Sequence, residues 1–223
     1  MPIAIALVAA LVANEPAAAP ERPDTALPTM VIRVSASPSI SPKTVARAID
    51  EATSIWRELG VTFDCRVGPR EIAPYIRSTE AGPYMPSTLR VVISEEEGLK
   101  RPKDTPLGWI TFDEQDSPEQ VIHISYGNAL SLLTASRPVV GPIDKMPGLE
   151  REIRLSRAMG RALAHELGHY LLASKSHTAS GLMQATRTAV EFFGPDRVHF
   201  ELDPVQQAVV AARFAKGRVL ASR

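Results

Sequence analysis

Three of the five histidines of the chain lie in the stretch "HELGHYLLASKSH". His165 and His169 are four residues apart, just over one helical turn, so both imidazole rings project from one face and can bind one ion. Glu166 is rotated by about a third of a turn from that face, which places it to reach a water on the ion. Gly168 costs a helix about 1 kcal/mol relative to alanine, which indicates that a neighbour approaches closely there. The pattern predicts a metal site with a general base.

The H-E-x-x-H arrangement on a helix is typical of zinc hydrolases, whose metal needs a third protein ligand and an open position for water. His177 follows the second histidine by eight residues. To reach the metal face, the chain has to leave the helix around residues 174–176 and turn back, which the polar stretch "SKSHTASG" allows. Glu191 is an alternative third ligand at a spacing similar to that of thermolysin-type enzymes, and His199 and Asp203 are further alternatives. We favour His177, in a site for one Zn²⁺ ion.

A long helix and several short strands precede this stretch. Residues 29–37 are rich in β-branched side chains and predict the first strand. Residues 41–60 predict a helix, because Ser41 can cap it, Pro42 suits its first position and Gly60 can end it. Further strands are predicted at residues 61–67, 88–94, 107–112 and 121–126, and residues 68–87 predict a long loop. We expect a mixed sheet with helices packed on it.

The second half of the chain is predicted to be mainly helical around the histidines. Residues 128–136 predict a short helix, residues 137–148 a loop, and residues 149–174 the longest helix of the protein. Asp203 and Pro204 begin a last helix that extends to residue 215. The remainder of the C-terminal third is expected to be irregular.

Composition excludes several classes of protein. The chain has 223 residues, a formal net charge of zero and 44% hydrophobic residues, so nucleic acids and anionic membranes are not expected partners. Its one cysteine permits no internal disulfide. Residues 1–22 resemble a signal segment without a basic start, and predict a secreted or periplasmic protein. No other stretch is apolar enough to span a bilayer. Residues 23–223 form a single predicted domain, and we expect a monomer.

Other polar residues have simpler interpretations. Arg154, Arg157 and Arg161 recur at helical spacing, which favours a solvated face over a cleft that binds carboxylates. Cys65 lies within a predicted strand, which favours a small buried side chain over a ligand that keeps the zinc latent. His123 alternates with isoleucines in another strand, so it is expected to face away from them and not to bind metal.

The stretch "HELGHYLLASKSH" followed by "SGLM" resembles the metzincin metallopeptidases. The resemblance implies that His165, His169 and His177 bind zinc, that Glu166 is the general base, and that Met183 belongs to a tight turn under the metal. It implies an α+β, metzincin-like zincin fold over residues 30–215, with a mixed twisted sheet, two long helices, a zinc helix followed by the methionine turn, and a C-terminal helix.

Two features depart from the metzincin pattern. Leu172 replaces the glycine that follows the second histidine by three residues, and the third histidine comes two residues late. Both suggest that the helix continues further before the chain turns. No tyrosine follows the methionine, so the tyrosine ligand of some metzincins has no counterpart.

One predicted strand is expected to bind substrate. By analogy with the family, residues 107–112 line the cleft and pair with an extended peptide. These residues are Leu107, Gly108, Trp109, Ile110, Thr111 and Phe112.

The resemblance implies a secreted zinc endopeptidase that acts on peptides or proteins. The alternative is a zinc-binding protein of the same fold that binds a peptide or partner without cleaving it. Glu166 favours catalysis, because a degenerate site has no need of a general base. A purely structural zinc site is disfavoured, because it would need a fourth protein ligand.

Overall fold

The protein is described by a computed structural model, which covers residues 30–68, 88–96 and 106–221, with side chains up to residue 215. The predicted leader at residues 1–22 and nearly all of the loop predicted at residues 68–87 lie outside the described residues. Among the described helices, none is long and apolar enough to cross a membrane.

Within the described ranges, five strands form one mixed sheet in an α+β fold. They are β1 (Met30–Ala36), β2 (Phe63–Val67), β3 (Thr88–Ser94), β4 (Gly108–Phe112) and β5 (Pro118–Ser125). Their order across the sheet is β2-β1-β3-β5-β4. β1 pairs in parallel with β2 and β3, β3 pairs in parallel with β5, and β4 alone runs antiparallel to its neighbour β5. β4 is therefore an edge strand of the described sheet.

The strand sequences explain the sheet. β1 and β3 alternate in burial, as expected where one face packs on a core, and their buried side chains are Met30, Ile32, Val34, Leu89, Val91 and Ile93. All five predicted strands are confirmed. β5 begins three residues earlier than predicted, because the Asp113 side chain accepts hydrogen bonds from the Gln115 and Ser117 N–H groups and closes a short turn. The two strands can therefore pair up to Pro118.

Six α-helices accompany the sheet in the residues that the structure describes. They are α1 (Pro42–Glu58), α2 (Tyr126–Ala135), α3 (Arg137–Val140), α4 (Gly148–Leu172), α5 (Ala189–Phe193) and α6 (Pro204–Ala221). The two predicted long helices, α1 and α4, are confirmed. The Ser41 side chain caps α1 by accepting a hydrogen bond from the Lys43 N–H at 3.2 Å. The prediction of a loop at residues 137–148 is wrong in part, because α3 begins there with a proline in its first turn and a 3₁₀ turn follows.

The α1 helix packs closely against α4 and holds it on the sheet. A Cβ atom on Gly160 of α4 would lie 2.6 Å from the Ala48 carbonyl oxygen of α1. The buried Trp56 indole donates a hydrogen bond to the Ala164 carbonyl at 3.0 Å. This second contact lies one residue before His165, so α1 supports the part of α4 that carries the histidines.

The arginines of α4 were predicted to lie on a solvated face, and this prediction is wrong for Arg161. This side chain is only 1% exposed. It donates hydrogen bonds to the Glu51 carboxylate at 2.9 Å and to the Asp196 carbonyl at 2.9 Å. Arg197 also binds Glu51, at 2.6 Å. Burial is possible because the carboxylate of α1 lies opposite the guanidinium, so the charge is paired as α4 packs on α1.

Cys65 is half-buried and packs against the core. Burial, and then the neighbouring Asp64 carboxylate, raise the pKa of the Cys65 thiol to about 11. The thiol is therefore not ionised at neutral pH, as expected for a packing residue rather than a metal ligand.

Candidate metal centre

Three histidine rings meet at the C-terminal end of α4. The potential ligand atoms of His165, His169 and His177 all lie within 4.8 Å of one another. The Nε2 atoms of His165 and His169 are 3.0 Å apart. His177 stacks on His165 at a centroid distance of 5.3 Å and stands edge-on to His169 at 4.9 Å. The structure thus brings together the three histidines that the sequence singled out.

The chain reverses direction just after α4 and so carries His177 back to the helix. The helix ends at Leu172, and Ala173 adopts the left-handed conformation with φ 48° and ψ 49°. The Ser174 N–H donates to the His169 carbonyl at 3.2 Å. The departure from the helix was predicted around residues 174–176, and it occurs slightly earlier.

The hydrogen bonds of the two helical histidines prepare them to bind a cation. The Nδ1 atom of His165 lies 2.8 Å from the Leu182 carbonyl oxygen, and Nδ1 of His169 lies 2.7 Å from the Ser174 carbonyl oxygen. A carbonyl only accepts, so Nδ1 carries the proton in both rings and Nε2 keeps its lone pair. The two Nε2 lone pairs then face each other, an arrangement that a shared cation stabilises. Backbone carbonyls are common partners of zinc-binding histidines.

The protonation state of these rings also suits metal binding. Burial, and next the neighbouring His169, lower the pKa of His165 to about 3. Burial is also the main cause that lowers the pKa of His169. Both rings are therefore neutral at pH 7, and neutral imidazole is the form that binds metal.

Glu166 lies beneath the edge strand β4. The residue is only 7% exposed, and its carboxylate accepts a hydrogen bond from the backbone N–H of Ile110. A Cβ atom on Gly108 would lie 3.1 Å from Cγ of Glu166, so the glycine leaves room for it. Burial raises the pKa of Glu166 to about 8, although the hydrogen bond from Ile110 lowers it. The carboxyl group can therefore exchange a proton near neutral pH.

A tight turn at residues 181–184 contacts His165 through the Leu182 carbonyl. Gly181 has φ +80°, and the Gln184 N–H donates to its carbonyl at 3.1 Å. Met183 of this turn is fully buried. A Cβ atom on Gly168 would lie 2.2 Å from its Sδ atom. The sequence indicated a close neighbour at Gly168, and that neighbour is the Met183 sulfur.

The alternative third ligands have other functions in the structure. Glu191 forms the capping box of α5 with Thr188 and an ion pair with Arg187. Asp203 accepts a hydrogen bond from the Gln206 N–H at 2.8 Å. Within the part of the chain that the structure describes, the one group of three potential metal ligands contains neither of them, nor His199. The geometry therefore favours His177.

The predicted substrate strand lies beside the metal centre. Phe112, at the end of β4, stands edge-on to the His169 ring at a centroid distance of 6.5 Å. Lys175 Nζ lies 5.3 Å from the centre of the Phe112 ring and pairs with Asp116 in the β4–β5 turn. These contacts could not be predicted from the sequence, because they join residues that are remote along the chain.

Trp109, also on β4, stacks on His123 at 5.1 Å with their planes 5° apart. The two residues also lie opposite each other in the pairing of β4 with β5. Among the described residues, the group of three potential metal ligands does not include His123.

Comparisons with sequences find no match, whereas comparison with solved structures finds similar folds. No protein-family model matches the sequence, and no curated protein matches it. The fold is similar to the crystal structure of archaemetzincin from Methanopyrus kandleri, with a TM-score of 0.49 and 16% sequence identity over 84% of this chain and 96% of that chain. Any functional assignment therefore has to rest on the geometry of this chain.

Proposed function

We propose that the protein is a zinc-dependent endopeptidase. The observation that carries this proposal is the convergence of three histidines within 4.8 Å, with Glu166 buried next in sequence to the first of them. Zinc would be held by Nε2 of His165 and His169 and by a ring nitrogen of His177. Three neutral ligands leave a position open, as in catalytic rather than structural zinc sites.

Zinc in such a site supplies a Lewis acid that polarises a carbonyl and lowers the pKa of water to about 7. The chain itself supplies the proton transfer. We propose that Glu166 accepts a proton from the attacking water and delivers it to the leaving amine nitrogen. Its burial next in sequence to His165 and its hydrogen bond from Ile110, which orients the carboxylate, support this function.

The position of β4 at the edge of the described sheet supports a peptide substrate. The Ser125 N–H donates to the Leu107 carbonyl, and antiparallel pairs alternate between bonded and non-bonded positions. Gly108 and Ile110 therefore direct their backbone groups away from β5. The bond from the Ile110 N–H to Glu166 agrees with this direction. A peptide that adds as a strand along this edge would run beside the general base.

We propose further that the turn at residues 181–184 corresponds to the methionine turn of metzincins. The burial of Met183 and its contact with Gly168 support this assignment. Export of the protein stays a prediction from residues 1–22. It can be checked by fusing these residues to a reporter that is active only outside the cytoplasm.

The test is cleavage of an unbiased peptide library by the zinc-loaded protein, with Glu166→Gln as the inactive variant. A matched control is Glu150→Gln, a change of the same type on the same helix at a half-exposed ion pair with Arg154. We expect the wild type and the control to cut equally and Glu166→Gln to bind zinc without cutting. If all three bind zinc and none cuts, the protein is a zinc-binding module rather than a peptidase.

A further inference from the structure

Arg187 is a buried cation close to the metal centre that the sequence did not single out. Its side chain is 4% exposed. It donates hydrogen bonds to the carbonyls of Gly181 and, at 3.0 Å, of His199, and pairs with Glu191 at 3.3 Å. Its guanidinium lies 4.0 Å from the centre of the Phe200 ring. One side chain thus links the turn at residues 181–184 to the segment at residues 199–201.

These two segments meet at the backbone that supports His165. The Leu182 N–H donates to the Glu201 carbonyl at 2.6 Å, and the Leu182 carbonyl accepts from His165 Nδ1 at 2.8 Å. A Cβ atom on Gly181 would lie 2.6 Å from the Glu201 oxygen, so the segments touch through their backbones. The position of the His165 ring therefore depends on how firmly the turn is held against residues 199–201.

We propose that Arg187 is a positioning residue of the metal centre, which holds the turn against this segment so that the Leu182 carbonyl fixes the His165 ring. The proposal rests on the proposed function only in assuming that the histidines bind zinc. Arginine suits this task because its rigid planar fork donates to two carbonyls and to a carboxylate at once. A lysine ammonium would keep the charge but would lose this fixed geometry. Loss of a direct hydrogen-bond partner of a zinc ligand weakens metal binding by about 10–100-fold, and Arg187 acts on such a partner, the Leu182 carbonyl.

Arg161 provides a matched control. It is also buried, and its guanidinium lies 4.9 Å from the centre of the same Phe200 ring. Its hydrogen bonds, however, go to Glu51 and to the carbonyls of Glu191 and Asp196, and none goes to the turn. Loss of Arg161 should therefore weaken the fold without displacing His165.

The experiment compares Arg187→Lys and Arg161→Lys with the wild type, after urea denaturation has established conditions under which the proteins are folded. The dissociation constant for Zn²⁺ is measured by chelator competition, and the geometry of the site by the absorption spectrum of bound Co²⁺. We expect Arg187→Lys to weaken zinc binding measurably, by at most about 100-fold, and to alter the Co²⁺ spectrum. We expect Arg161→Lys to lower stability and to keep the wild-type zinc affinity and spectrum.

Three results would overturn the proposal. The first is wild-type zinc affinity and an unchanged spectrum in folded Arg187→Lys. The second is an equal loss of zinc affinity in both variants, and the third is failure of Arg187→Lys to fold. The last two results would each indicate that Arg187 has only a structural role. Zinc binding by the wild type without peptide cleavage would refute the peptidase and leave this inference intact. Absence of zinc binding by the wild type would refute the proposed function itself.

Discussion

Replacement of Gly168 by alanine tests whether the Met183 turn is packed as tightly against α4 as the structure indicates. In an unobstructed helix interior this change stabilises a protein by up to about 1 kcal/mol, because glycine is the poorer helix former. Here the added Cβ would lie 2.2 Å from Met183 Sδ and 3.2 Å from its Cε. Optimal contacts between non-bonded atoms need about 3.5–4.0 Å, so the sulfur has to move by more than about 1 Å.

The size of the effect follows from what the methionine can do. Met183 is fully buried, and its carbonyl accepts a hydrogen bond from the Thr178 N–H at 3.0 Å. Its side chain cannot swing into solvent without leaving the core. Overpacking of this kind costs about 1–3 kcal/mol, which outweighs the gain of about 1 kcal/mol in helix propensity. We expect Gly168→Ala to lower the free energy of unfolding by up to about 2 kcal/mol.

The assay is urea denaturation in the presence of a chelator, so that zinc binding does not contribute to stability. Met183→Ala and the double variant complete a double-mutant cycle. With the sulfur absent, Gly168→Ala should become neutral or stabilising. Gly148→Ala, at the start of the same helix with no atom near its would-be Cβ, controls for propensity. Stabilisation by Gly168→Ala of about 1 kcal/mol in the wild-type background would refute the reasoning.

Further substitutions test other parts of the structure. Gly181→Ala should destabilise the protein and weaken zinc binding, because φ is +80° and the added Cβ would lie 2.6 Å from the Glu201 carbonyl oxygen. Urea denaturation measures the first effect and chelator competition the second. Wild-type zinc affinity in this variant would contradict the expectation. Ala173→Gly should raise the free energy of unfolding by up to about 1 kcal/mol in the same denaturation assay, since an alanine in the left-handed conformation is strained. A lower free energy of unfolding would contradict this expectation. Burial raises the pKa of Glu51, but hydrogen bonds from Arg197 and Arg161 outweigh it and keep this pKa below its usual value. The ionised Glu51 carboxylate then makes its full contribution to stability above about pH 4.5, and this contribution falls as the pH drops through the lowered pKa. Glu51→Gln should therefore lower the free energy of unfolding by about 3–5 kcal/mol at pH 7 and make it depend less on pH under acidic conditions. Urea denaturation at several pH values measures both effects. An unchanged dependence at acidic pH would show that the Glu51 carboxylate does not cause it.

The sequence was sufficient for the parts of the fold that depend on local pattern. The spacing of His165 and His169 on a helix needs only helical periodicity, and both rings lie where that periodicity places them. Richness in β-branched residues likewise predicted the first strand. Gly168 predicted a close neighbour because a glycine within a long helix is unfavourable unless something occupies the space.

The parts that the sequence left open depend on contacts between distant elements. The order of strands that makes β4 an edge is set by how the connections pass over the sheet. The burial of Arg161 required knowledge that Glu51 lies opposite it, 110 residues earlier. The contacts of Arg187 with the Gly181 and His199 carbonyls are made with backbone groups, which leave no pattern in the side chains. The sequence around either arginine does not distinguish it from an arginine that is exposed to solvent.

The two departures from the metzincin pattern have a common physical explanation in the end of α4. Where Leu172 replaces glycine, the left-handed residue that ends the helix is the next one, Ala173. The chain turns at this residue, and residues 174–176 carry His177 back to the helix. The Ser174 carbonyl, which follows the turn, accepts the hydrogen bond from His169 Nδ1. A helix that continues through Leu172 and a third histidine eight residues after the second are thus compatible with convergence of the three rings.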